Sequence, residues 1–102
     1  MISVQDVIEA VARKAGTTPE LLKGPRRARP LAHPRQLGYF LASELCPGIS
    51  LPMIARAFGG RDHTTIIHGI RQVQKRMRTN PEVEKAVNEI GREIRAAVAC
   101  NG

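Results

Sequence analysis

Tryptophan is missing from this chain, and Tyr39, Phe40 and Phe58 are its only aromatic residues in a length of 102. A core so poor in large rings must be filled by Leu, Ile, Val, Ala and Met, which favours packed helices over a sheet rich in aromatic and β-branched side chains. Cysteine is nearly as scarce. Cys46 and Cys100 form neither a Cys-x-x-Cys pair nor a disulfide framework, which points to a reducing cytoplasm, with Cys46 a small buried hydrophobe and Cys100 an exposed tail thiol. No stretch approaches the ~20 apolar residues of a membrane span, and the N-terminus has neither the basic start nor the apolar run of a signal peptide. A membrane partner is therefore not expected. The chain also lacks any G-x-x-x-x-G-K-[ST] phosphate loop, so ATPase chemistry is not expected of it. Its length suits one domain, 1–102, because two independent cores would each be too small to hold together.

What the sequence has is positive charge, and it is concentrated. The formal net charge is +7, with sixteen Lys and Arg against nine Asp and Glu. Residues 1–20 and 82–102 are each net −1, whereas residues 21–81 hold eleven bases and two acids. A central excess of this kind suits a phosphate backbone, although membranes and acidic proteins also attract basic domains.

Apolar spacing and punctuation predict an all-α fold, a small helical bundle. Ser3 and Asp6 outline a capped start, and Val4, Val7, Ile8 and Val11 recur on one helical face, which predicts a helix from about Val4 to Ala15 ending at Gly16. Thr18, Pro19 and Glu20 open a short turn through Leu22, ended by Gly24 and Pro25. Residues 24–33, GPRRARPLAH, read as a basic loop without helical periodicity. Pro34 is then expected at the first position of a helix whose stripe is Leu37, Phe40, Leu41 and Leu45.

Ser50 caps a shorter helix with Ile54, Ala55 and Phe58 inward, and Gly59-Gly60 breaks it. Asp62 caps the next, with Ile66, Ile70, Val73 and Met77 on its apolar face. Two helices joined by a glycine turn are the outline of a helix-turn-helix, here over about 50–78. A last amphipathic helix, about 81–99, follows with Val83, Val87, Ile90, Ile94 and Val98.

In a helix-turn-helix the start of the second helix enters the major groove of double-stranded DNA. Asp62, His63, Thr64 and Thr65 stand there, and each has a use. A carboxylate accepts from the cytosine amino group, an imidazole nitrogen donates to a purine or thymine acceptor, and threonine offers a hydroxyl and a methyl. Arg61 is placed to reach a phosphate or a guanine edge. The plainer alternative, that Asp62 only caps while Thr64 and Thr65 are ordinary first-turn residues, weakens because this turn is so polar beside the apolar turns after it.

Other signals carry less. His63 and His68 are five residues apart, off the i, i+4 spacing of helical metal ligands, and neither cysteine is near them, so no metal or other cofactor is expected. No nucleophile or second carboxylate stands near the Asp-His pair, which argues against an enzyme. His68 reads as a structural residue on the flank of its helix, and Arg71, Lys75, Arg76 and Arg78 as a solvated basic face with some phosphate contacts.

The run SLPMIARAFGGRDHTTIIHG, residues 50–69, resembles the signature of the C-terminal DNA-binding domain of the bacterial replication initiator DnaA. The likeness continues through RRARPLAHPRQ, residues 26–36, and more loosely over about 2–94. It implies a helix-turn-helix like that of the Trp repressor, reading a DnaA box as a monomer per site. By motif match, Asp62, His63, Thr64 and Thr65 inherit major-groove contacts, and Arg61 belongs to the same signature. Arg29 matches the arginine that relatives insert in the adjacent minor groove, whose narrow A·T-rich form attracts arginine. Arg35 and Gln36 match a backbone-contacting pair, Leu51 and Pro52 a phosphate-contacting helix start, and Arg26 and Arg27 lie in the same basic loop. His33 stands where arginine is common, Pro30 where a small polar residue is frequent, and Ser43 where some members carry lysine. These departures leave the base readers intact and weaken the grip on the backbone.

The initiator's ATPase module is absent from the sequence, which leaves two readings, a segment of a longer initiator or a stand-alone reading head. The tail AAVACNG, running past the usual end of the initiator, favours the second. The expected role is control of replication initiation or transcription at DnaA-box-like sites in the cytoplasm, on the nucleoid. The alternative is an adaptor or decoy that binds a replication protein through its 83–98 helix or its basic face.

Overall fold

A computed structural model describes residues 1–25 and 29–101, with backbone alone for residues 29, 30 and 101. It contains six helices and, among the described residues, no strand: α1 Val4–Ala15, α2 Pro19–Lys23, α3 Arg29–Leu45, α4 Leu51–Ala57, α5 His63–Thr79 and α6 Pro81–Asn101. The all-helical bundle expected from the apolar spacing is what the chain forms.

Local chemistry explains most helix ends. Ser3 and Asp6 form a reciprocal capping box on α1, and Gly16 closes that helix in the left-handed region at φ 70°. Thr18 caps α2, Ser50 caps α4 and Asp62 caps α5, each by accepting a first-turn amide hydrogen.

The start of α3 differs from expectation. Residues 24–33 were expected to be loop up to Pro34, but the helix begins at Arg29 and Pro34 lies inside it. A proline at this sixth position costs the bond to the carbonyl of residue 30. Burial compensates: Leu31 is in the core, Leu37 packs against it, and Arg35 is anchored at its guanidinium. Tertiary contacts outweigh a local helix breaker when they hold the chain on both sides of it.

The core runs through the whole bundle. Phe58, Leu22, Ile8 and Ile66 are fully buried, each from a different part of the chain. Tyr39 on α3 meets Phe58 edge to face, with ring centroids 4.7 Å apart and planes at 83°. Val87, Ile90 and Ile94 turn the apolar face of α6 into the core. Cys46 is buried and Cys100 exposed, as their surroundings suggested.

Two helical glycines face opposite surroundings. A Cβ on Gly38 would lie 2.6 Å from Cζ of the fully buried Phe58 ring, whereas one on Gly91 would meet nothing within 4 Å. Gly38→Ala is expected to destabilise by about 1–3 kcal/mol through overpacking, and Gly91→Ala to stabilise by up to about 1 kcal/mol through helix propensity. Urea unfolding of the two variants beside the parent checks both signs.

Candidate nucleic-acid interface

The first turn of α5 is polar and outward, and the second is anchored. Asp62, His63, Thr64 and Thr65 are all exposed, while Ile66 is fully buried. The Asp62 carboxylate accepts the Thr64 amide hydrogen at 2.9 Å, and its backbone carbonyl accepts from Thr65 at 3.0 Å and Ile66 at 3.3 Å. The Thr64 hydrogen bond holds the Asp62 carboxyl below its ordinary pKa. Asp62 is therefore an acceptor near neutral pH, able to cap the helix with one oxygen and present the other outward. His63 Nδ1 lies 3.9 Å from Asp62 Oδ1, close enough for the two to influence each other in water.

The start of α4 lies beside this turn. Pro52, Ala55, Arg56, Gly60, Arg61, Asp62 and His63 line a shallow cleft of ≈ 290 Å³, so Pro52 comes together with the base-reading candidates. Leu51 is half-buried next to it, and Met53 is 50% exposed. A second cleft of ≈ 530 Å³ lies between α3 and α5 and brings Arg35, Gln36, Tyr39, Arg61, Asp62, Thr65 and His68 to one opening. His68 is exposed here, one helical turn after Thr65. It stands in line with the candidate readers, and its i+3 spacing from Thr65 was the signal that marks this.

Arg35 and Arg61, both expected at the DNA, hold interior hydrogen bonds as well. Arg35 is 6% exposed, and its guanidinium donates to the carbonyls of Leu22 at 3.0 Å, Leu21 at 2.9 Å and Gly24 at 2.9 Å. Burial lowers its pKa, and the neighbouring Arg61 charge adds to that effect. Arg61 is half-buried, and its Nη2 donates to the carbonyls of Leu22, at 3.3 Å, and Gly24. The cause is the end of α2: carbonyls in its last turn and just past it carry partial negative charge, which attracts guanidinium groups, and that of Leu21 also accepts a cap amide, from Gly24. Arg35 and Arg61 thus share interior carbonyls, and both also line the α3–α5 cleft with Asp62 and Thr65.

Gln36 is half-buried and accepts a hydrogen bond from Arg76 across the α3–α5 contact, which ties one expected phosphate ligand to another. Arg71 and Lys75 are exposed on α5, in keeping with a solvated basic face. The expected contacts of Arg26 and Arg27 lie outside the described residues. For Arg29 only the backbone is described, at the first position of α3.

The double duty of Asp62 can be separated. Asp62→Asn keeps a good N-cap and is expected to leave stability within a few tenths of a kcal/mol, whereas Asp62→Ala is expected to cost about 1 kcal/mol. Thermal unfolding of both variants at neutral pH checks the cap independently of any DNA.

Comparison with known proteins agrees with this architecture. Residues 4–73 match the family described as bacterial DnaA protein helix-turn-helix. The chain is 37% identical over 95 residues to the chromosomal replication initiator protein DnaA of Cereibacter sphaeroides, covering 93% of this chain and 21% of that protein. It is 42% identical over 73 residues to the initiator of the same name from Lactococcus lactis, covering 72% of this chain and 16% of the relative. The chain thus spans about a fifth or less of the length of these curated relatives.

Proposed function

Because this chain belongs to the bacterial DnaA helix-turn-helix family, we propose that it reads DnaA-box-like double-stranded DNA through the first turn of α5. The observation that carries this is the exposed row Asp62, His63, Thr64 and Thr65, held outward by the Asp62 cap above the buried Ile66. Such a turn, at the N-terminus of the second helix after a glycine turn, suits the major groove. Its donors and acceptors suit base edges. His68 extends the row by one turn. Leu51 and Pro52 lie next to it for backbone contact, as does Gln36 across the second cleft, and Arg29, Arg26 and Arg27 supply the minor-groove and backbone grip from the basic segment.

The role that follows is control of replication initiation or transcription by occupying such sites, one monomer per site, on the nucleoid in the cytoplasm. The chain acts by choosing a site and brings no ATP hydrolysis of its own, because its sequence has no phosphate loop.

The test is a binding titration on duplexes with and without a DnaA box over a range of salt. His63→Ala and Thr65→Ala are each expected to cost about 1–3 kcal/mol on the box and to relax base preference. With five or six phosphates neutralised, log affinity is expected to fall with a slope of roughly −5 against log salt. Equal affinity of the parent for box and scrambled duplexes would sink the base-reading assignment. Asp62→Asn, which keeps the cap, is expected to change preference at the position where the carboxylate accepts.

A further inference from the structure

The turn that launches α5 is held by groups outside the helix-turn-helix. Arg61 reaches back 39 residues in sequence to the Leu22 carbonyl and 37 to that of Gly24. Arg35 holds the same two acceptors from α3 and adds Leu21. Tyr39, 2% exposed, lines the same cleft as Arg35 and Arg61 from the next turn of α3. Gly59, at φ 88°, lets the turn press against this junction, since a Cβ there would fall 2.1 Å from the Lys23 carbonyl oxygen. Arg61 Nε is buried without a hydrogen-bond partner among the described residues. The guanidinium is thus oriented by the α2 carbonyls at the cost of its own complete satisfaction.

We propose that Arg61 is a positioning residue for the recognition helix, joined to the Leu22 and Gly24 carbonyls beside Arg35, with Tyr39 next to it, so that residues 62–65 meet DNA at one fixed angle. The proposal rests on the assignment of α5 as the base-reading helix. Its mechanism is short-range. Arg61 immediately precedes the Asp62 cap, so movement of the Arg61 backbone carries the cap and the first turn with it. Hydrogen bonds to base edges weaken steeply with misalignment, while phosphate contacts from long side chains follow small shifts. Loosening this junction therefore lowers discrimination more than overall affinity.

Tyr39 supplies a second probe, because at 2% exposure its hydroxyl sits at the floor of the cleft beside the two guanidinium groups. The parent, Tyr39→Phe, Arg61→Lys and the double variant are compared as full chains. In the free proteins, amide hydrogen exchange is followed at Thr64, Thr65 and Ile66, with Val11 of α1 as the reference for global opening. Each single variant is expected to speed exchange in the α5 turn about 5-fold relative to Val11, the size of one modest hydrogen bond. Each is also expected to lower the ratio of affinities for box and scrambled duplexes about 5-fold with the salt slope unchanged, and the double variant to be no worse than the more severe single one. A silent Tyr39→Phe, together with loss of preference at a single base pair or a shallower salt slope in Arg61→Lys, would overturn the proposal in favour of direct contact. Unchanged exchange at residues 64–66 in both variants would also overturn it. If the parent fails to discriminate between duplexes, the base-reading assignment falls, and the exchange measurement alone decides the positioning claim.

Discussion

The carbonyl cluster at the end of α2 is the junction on which the rest of this structure depends. Leu22 places its side chain in the centre of the core, and its carbonyl accepts the buried bond from Arg35, with the part-buried carbonyls of Leu21 and Gly24 beside it. A buried acceptor left without a donor costs about 1–3 kcal/mol. Two guanidinium groups answer this need. The planar fork of arginine can engage several carbonyls at once, which the point charge of lysine cannot. The two like charges lie close together, and sharing acceptors offsets their repulsion. One cluster thereby joins α2, α3 and the turn before α5.

From that junction the charge of the molecule divides into two uses. Some of the central arginines are structural, turned inward or paired across helices, as Arg35, Arg61 and Arg76 are. Others, such as Arg71 and Lys75, remain in solvent where they contribute to a field that draws in polyanions. The net-negative ends of the sequence form α1 and α6, which pack on each other and carry an exposed Lys14–Glu93 pair at 3.1 Å. A pair that open to water adds little stability. Its place shows where the balanced charge lies, away from the turn that presents residues 62–65.

The fold was legible wherever its cause was local. Ser3, Thr18, Ser50 and Asp62 announced four helix starts because a capping side chain acts on an amide two or three residues away. The exposed row 62–65 was legible for a related reason: polar residues preceding a regular apolar stripe stand at the start of an amphipathic helix. The beginning of α3 was not legible. Prolines and arginines at 25–35 argue locally for a loop, and only the burial of Leu31 and the anchoring of Arg35 make that stretch helical.

By itself, the sequence determined six helical segments, the glycine turn between two of them and a polar first turn on α5, since periodicity and capping operate within a few residues. The inward course of Arg35 and Arg61 was decided by tertiary structure. Their partners are backbone carbonyls from 11 to 39 residues distant, and a carbonyl is common to every residue type, so no pattern of side chains could mark it. Which arginines turn inward and which stay in solvent is set by the packing of α2 against α3 and the turn.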